Sequence, residues 1–501
     1  MNDLLGRLRG LLLDTGYTID GVRERLGDVA ATALSREETI PALRATADGD
    51  PLATLIRLWW LGAPVEARDV PAGLPVEELA AAGLVTVEGG RVTSAVHLQP
   101  WETDGSGGSG GSGGVEGSGG SGGYVVSDRK VRPGDPALRP DHVVGAGGAS
   151  ANLAQLASRR PVGRALDIGT GCGVQVLHLR GRAEEITATD VNPRALELAR
   201  LSWALSGITG VDARQGSLFD PVEDDRFDLI VSNPPFVISP AGRFTYRESG
   251  FHADDFCRDL VRRAPRHLAP GGTCHLLANW LHVDGEDWRD RVGGWLAGTG
   301  CDGWVVQRDV QDPAEYVELW LRDAAEQGTP RHRELYDDWL GWFEAEGVTG
   351  IGFGWITLHD SGSLDPVVRV EEYGRPVELP VGGYVDEVLG AIATAHRLTD
   401  AELLGSRLVV AEGVLEERIG PPGAEDPARI VLRQTSGLRR GAAVGTVEAA
   451  LAGVCDGDYP LDPLLAAIAE LTGEDHDDLR TKAPAALRPL IAEGFFHIST
   501  G

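Results

Sequence analysis

Between about residues 124 and 360 the chain alternates short apolar, β-rich runs with helix-length stretches, and few folds accommodate that rhythm. The runs fall at 165–168, 186–189, 211–215, 227–232, 273–278, 304–308 and 351–359. Apolar residues at helical spacing cover 174–180, 194–206 and 254–268 in between. Strands separated by helix-length connections predict an α/β fold with a doubly wound, mostly parallel sheet. An insertion at 314–346, before the last strand, carries Tyr316, Trp320, Tyr336, Trp339, Trp342 and Phe343 on two helical patterns. Aromatic residues at that spacing read as core and lid packing rather than as a recognition surface.

At roughly 150 residues per domain, 501 residues predict about three domains. Residues 1–102 begin with helices and end in two β-rich runs around Gly89-Gly90, which is a hairpin signal. Helices followed by a hairpin suggest a winged-helix-like module. Few cations lie in it, so docking or packing is favoured over DNA binding. Residues 103–123 are almost entirely Gly and Ser and read as a flexible linker, a composition shared by natural and engineered linkers. The α/β unit spans 124–375. Residues 376–501 mix β-like runs at 407–414 and 430–433 with helices at 446–455, 461–472 and 477–493, and again look winged-helix-like.

Two loops carry chemistry. The first apolar run breaks into Asp167-Ile168-Gly169-Thr170-Gly171-Cys172-Gly173 and then a helix. Alternate glycines let backbone approach a ligand and aim a helix N-terminus at it. The second run ends in Asp190, whose carboxylate can accept both hydroxyls of a ribose. A dinucleotide site would prefer G-x-G-x-x-G, and the spacing here is G-x-G-x-G. The fourth run ends in Asn233-Pro234-Pro235-Phe236, where two prolines fix φ and donate no N–H. An amide or aniline-like nitrogen is a weak nucleophile that must be oriented. The side-chain oxygen of Asn233 and the carbonyl of Pro234 can accept its two hydrogens, and Phe236 can stack on a planar target. Asparagine before prolines is also an ordinary turn, but here it occurs in tandem with the glycine loop and Asp190.

In that order and spacing, Asp167 to Gly173, Asp190 and Asn233 to Phe236 resemble the motifs of class I S-adenosylmethionine-dependent methyltransferases. The (N/D)-P-P-(F/Y) loop narrows the resemblance to amino-methyltransferases. These include HemK-like release-factor glutamine N5-methyltransferases, N6-adenine methyltransferases and N2-guanine ribosomal RNA methyltransferases. The resemblance covers about residues 138–360 and implies a Rossmann-like, seven-stranded core with S-adenosyl-L-methionine as cofactor. It implies that Asp167, Gly169, Thr170, Gly171 and Gly173 approach the methionine part and that Asp190 holds the ribose. Asn233 borders both cofactor and acceptor. Where the family carries an acidic D-L-F pattern near adenine, this chain has Ser217-Leu218-Phe219, so Ser217, Leu218 or their backbone is the expected contact. Arg139-Pro140-Asp141-His142 resembles the R-P-x-x-E segment before the HemK-like core, and Tyr246 follows the catalytic loop. Arg139, Pro140 and Tyr246 are the expected substrate-side residues.

The formal charge of −29 makes nucleic acid a poor default partner, because phosphate binding relies on clustered cations. A protein or peptide acceptor, such as a glutamine amide, is therefore favoured over an N6-adenine or N2-guanine acceptor. A regulator that binds the cofactor without catalysis is the alternative of another class, and an acceptor-orienting Asn233 argues against it. Five cysteines without a C-x-x-C pair suit a reducing cytosol. No metal-ligand cluster, signal sequence or membrane-spanning run is visible, so a cytoplasmic protein is expected. The sequence leaves oligomeric state open.

Overall fold

The computed structural model describes residues 1–103, 122–130, 139–235, 237–240, 253–324, 326–327, 329–423 and 427–499. At its centre lies one sheet of eight strands: β1 (Val162–Ile168), β2 (Ala183–Asp190), β3 (Asp212–Gln215), β4 (Phe227–Ser232), β5 (Leu268–Val283), β6 (Asp302–Gln311), β7 (Val348–His359) and β8 (Val368–Glu372). Their spatial order is β8-β6-β7-β5-β4-β1-β2-β3. Helices α1 (Gly148–Leu156), α2 (Val174–Leu179), α3 (Pro193–Leu205), α4 (Asp255–Arg263) and α5 (Trp288–Leu296) alternate with the strands. Helices α6 (Pro313–Asp323) and α7 (His332–Ala345) form the insertion between β6 and β7.

Strands β1 to β5 pair in parallel, and β7 enters antiparallel between β5 and β6. Leu229, Ile230 and Val231 of β4 are buried on both faces, which is why the run is continuously apolar. The chain leaves β1 toward β2 and β3 on one side, and β4 and β5 build the other. That reversal falls at the carboxyl ends of β1 and β4, the position where doubly wound sheets place ligands.

Two features differ from the sequence expectation. The strand expected at 273–278 runs from Leu268 to Val283, because β7 supplies hydrogen-bond partners from Thr273 to Val283. Pairing with β4 ends earlier, at Leu276 opposite Ser232. The sheet also has an eighth strand rather than seven. β8 is a short, charged edge strand parallel to β6, and such a run carries no apolar signature.

The N-terminal helices Asn2–Asp14, Ile19–Ser35, Ile40–Ala45, Pro51–Leu55 and Val76–Ala81 precede an antiparallel hairpin, Val85–Glu88 with Arg91–Ser94. Its turn is Gly89-Gly90, both at positive φ. The Gly/Ser stretch at 104–121 lies outside the described residues. The chain on its two sides is joined: Gly123–Asp128 pairs antiparallel with Val96–Trp101. The amides of Tyr124 and Val126 donate to the hydroxyls of Ser206 and Ser202 at the end of α3, at 2.9 and 2.8 Å. One buried apolar cluster runs from Leu4, Leu8 and Trp59 through Val125 to Leu177 and Trp203.

C-terminal to β8, helix α8 (Gly382–Arg397) lays Val385, Val388 and Leu389 against Leu153 and Trp304 of the core. Two small antiparallel sheets and the helices Thr446–Val454, Leu461–Thr472 and His476–Ala492 follow. All five cysteines are free and buried. Among the described residues no helix is long and apolar enough to cross a membrane.

Candidate active site

The end of β1 and the end of β4 lie side by side, with Asp167 opposite Val231 and Ile168 opposite Ser232. The Ser232 hydroxyl donates to the Ile168 carbonyl at 2.8 Å and ties the two strand ends together. The glycine loop leaves β1 here. Amides of Gly169 and Thr170 both donate to the Thr189 carbonyl at 2.9 Å, which folds the loop over the end of β2. Its three glycines all have φ between +54° and +80°, a region that side chains rarely adopt. They serve different ends. A Cβ at Gly173 would stand 2.5 Å from Trp203 Nε1, so this glycine lets α2 pack on α3. At Gly169 a Cβ would meet nothing within 4 Å, so this glycine borders open space.

Asp167 is 1% exposed and accepts a 2.6 Å hydrogen bond from the Thr170 hydroxyl. Burial pushes its carboxyl up to about 7, the Thr170 bond opposes this, and the charge of Asp190 adds to it. Asp190 accepts the Gly171 amide at 2.9 Å on one oxygen and the Asn192 amide at 2.9 Å on the other. Burial also raises the Asp190 carboxyl, against these amides. Cys172 is inert at neutral pH, because burial pushes its thiol up to about 12.

Asn192 caps α3 by accepting the Arg194 amide at 3.0 Å, and its Nδ2 donates to the Asp141 carbonyl at 2.9 Å. That bond holds the Arg139-Pro140-Asp141 segment beside the end of β2. Arg139 pairs with Asp141 at 3.0 Å and Asp128 at 3.5 Å, and both Arg139 and Pro140 are exposed. Burial alone would raise the Asp128 carboxyl, but bonds from Arg194 and the Val143 amide hold it below the ordinary range. Past β3, Ser217 is exposed, whereas Leu218 sits at φ +48° with its side chain buried beside Phe219 and Val222. The Leu218 carbonyl accepts the Thr189 hydroxyl at 3.3 Å.

Asn233 follows directly on the last β1–β4 register pair and is half-buried, with Pro234 buried and Pro235 exposed. Among the described residues its side-chain amide has no hydrogen-bond partner. Asp167, Gly169, Asp190 and Asn233 thus lie at or just past the carboxyl ends of the neighbouring strands β1, β2 and β4. Phe236 and Tyr246 lie outside the described residues.

Residues 147–282 match the Methyltransferase small domain. The α/β core is a class I methyltransferase domain of the HemK-like group. The cofactor that this resemblance implies is S-adenosylmethionine. The core is 34% identical over 130 residues to the release factor glutamine methyltransferase of Xylella fastidiosa, covering 23% of this chain and 47% of that protein. The enzyme of the same description from Deinococcus radiodurans is 37% identical over 147 residues, covering 27% and 52%. The ribosomal RNA small subunit methyltransferase C of Pseudomonas aeruginosa is 40% identical over 123 residues, covering 24% and 33%. The chain spans about half the length of the release factor relatives it matches. Residues 14–95 match a domain of unknown function, DUF7059.

The residues of the methyltransferase core fit that cofactor. Gly169 leaves its cradle open, and Asp190 offers carboxylate lone pairs beyond its two backbone bonds. Asp167 places an ionisable group at the loop's base, suited to the cationic methionine portion. The sequence reading missed Asn192, which links the cap of α3 to the 139–141 segment. An Asn-Pro pair opening a helix was its available signal.

Proposed function

We propose that this chain is an S-adenosylmethionine-dependent N-methyltransferase acting on a planar amide nitrogen of a protein, most simply a glutamine side chain. The observation that carries the reading is the place of Asn233, which directly follows the last β1–β4 register pair at the switch point of the sheet, beside the glycine loop that leaves β1. Bound there, S-adenosylmethionine supplies an electrophilic methyl group on sulfonium. The protein's part is to orient the acceptor. Asn233 Oδ1 and the Pro234 carbonyl accept its two N–H groups, which turns the nitrogen lone pair toward the cofactor side and stabilises the positive charge that develops on it. Pro234 and Pro235 have no N–H to compete for those acceptors. Asp190 holds the ribose, and Ser217 with the backbone at Leu218 borders the adenine.

A protein acceptor is supported by the charge at this end of the sheet. Beyond the end of β5 lies a cleft of about 400 Å³ lined by Asp255, Asp284, Glu286 and Glu346, with Arg291 as its one cation. Such a wall repels a phosphate backbone. The second reading, a ribosomal RNA base amine, is favoured by the match to ribosomal RNA methyltransferases.

The test is transfer of radiolabelled methyl from S-adenosylmethionine into a lysate of the source cell, with Asn233→Ala as control. Protease-sensitive label that the control lacks supports the amide reading. Nuclease-sensitive label installs the second reading, and label that persists in Asn233→Ala overturns the site.

A further inference from the structure

The helical insertion touches the chain just after the acceptor turn. The Ile238 amide donates to the Tyr316 hydroxyl at 2.9 Å, and Ile238, Tyr316, Val317, Trp339 and Phe343 share one buried cluster. Tyr316 is fully buried on α6. Its ring is packed by Trp320, Phe343 and Phe353 with centroids 5.9, 6.0 and 5.7 Å away. Phe353 belongs to β7, which is bonded along β5, so the phenol oxygen is fixed relative to the sheet and has no room to swing. On the far side of 241–252, Asp254 is 2% exposed and is clamped to the same part of β5. Its carboxylate accepts the Leu281 amide at 3.0 Å and Arg291 at 2.8 and 2.9 Å.

We propose that Tyr316 is a positioning residue for methyl transfer, its hydroxyl holding the backbone that follows Asn233-Pro234-Pro235 at a fixed height above the sheet. This rests on the acceptor reading of Asn233 given above. A buried amide with no other acceptor keeps its chain where the acceptor is, and loss of that acceptor releases it. Burial pushes the phenol well above its ordinary range, so the group stays neutral and the bond is insensitive to pH near neutrality. The insertion then acts in the reaction through one hydrogen bond, and its other aromatic rings hold that bond still.

Tyr316→Phe removes the oxygen and keeps the ring. The initial rate of label transfer into lysate protein at saturating S-adenosylmethionine is expected to fall about tenfold, as displacements of a fraction of an ångström do. The KM for S-adenosylmethionine should stay within about twofold, since Asp190 and the glycine loop are untouched, and the melting temperature within about 3 °C. Hydrogen exchange at the Ile238 amide, read by mass spectrometry on the peptide that contains it, should accelerate. A wild-type rate, or unchanged exchange at Ile238, overturns the proposal. Asn233→Ala in the same assay separates the two levels. If it transfers methyl normally the acceptor reading itself has failed, whereas an inactive Asn233→Ala with a fully active Tyr316→Phe removes only the role of Tyr316.

Discussion

At the β8 edge of the sheet, charged groups pair with one another, although Arg440 Nε is buried without a partner among the described residues. Glu371 accepts Trp304 Nε1 at 2.7 Å, Arg440 at 2.6 Å and Arg369 at 3.1 Å, and Arg369 also reaches Glu493 at 3.1 Å. These residues join the core strand β8 to the C-terminal segment, and Arg440 is only 8% exposed. At the ends of β1 and β2 the carboxylates bond to the local loop instead, Asp167 to Thr170 and Asp190 to the Gly171 and Asn192 amides. Asn233 has no partner among the described residues, Asp167 is held with a raised pKa, and glycine backbone borders open space. Both places carry buried polar groups, so burial alone does not mark a functional site. Surroundings differ: the β8 cluster ties two segments of the chain together, whereas the polar groups at the strand ends stand beside glycine backbone that borders open space.

The comparison predicts opposite phenotypes. Glu371→Ala strands Arg440 without its main partner and should cost about 3–5 kcal/mol of stability, read by denaturant unfolding, with S-adenosylmethionine affinity unchanged in the folded protein. Asn233→Ala should do the reverse, lowering methyl transfer about 10²–10³-fold with an unshifted melting curve. If Asn233→Ala melts early and Glu371→Ala does not, the distinction is broken. Within the glycine loop, Gly173→Ala should destabilise by about 2–3 kcal/mol, because it meets Trp203 in a left-handed backbone region. Asp190→Ala should weaken S-adenosylmethionine binding about 10–100-fold by calorimetry, the cost of charge-assisted hydrogen bonds.

A further effect is one of pH. The Asp167 carboxyl titrates near 7 in the free protein and near 3.9 when unfolded, so the native state holds the extra proton between those values. Stability of the free protein should therefore decline as pH rises through that window. Affinity for the cationic cofactor should move the other way, rising by up to about tenfold per unit below pH 7 and levelling above it. Asp167→Asn should flatten the affinity profile. A profile already flat in the wild type shows that the ionised carboxylate plays no part.

The sheet was legible because its central strands are buried on both faces and must be apolar throughout, as Leu229 to Val231 show. The loops were legible because left-handed backbone at Gly169, Gly171 and Gly173 and the rigid turn at Pro234-Pro235 demand particular residues. What escaped the sequence depended on remote partners. β8 is short and charged, and it is a strand only because β6 offers it an edge. The length of β5 is set by β7, far along the chain. The apolar residues of the N-terminal helices announced a core, but not that α2 and α3 of the methyltransferase domain complete it.

By itself, then, the sequence determined the α/β architecture and put Asp167, Asp190 and Asn233 forward as candidates at strand ends, since these follow from local backbone geometry and side-chain chemistry, while the cofactor came from the resemblance of the motifs to a family. Only the tertiary structure decided which glycine faces ligand space and which packs on Trp203. It alone set Tyr316 against Ile238 and made Glu371 a junction rather than a surface charge. Those outcomes depend on which groups meet across large sequence separations, and hydrogen-bond satisfaction and close packing are properties of the assembled interior, not of any segment.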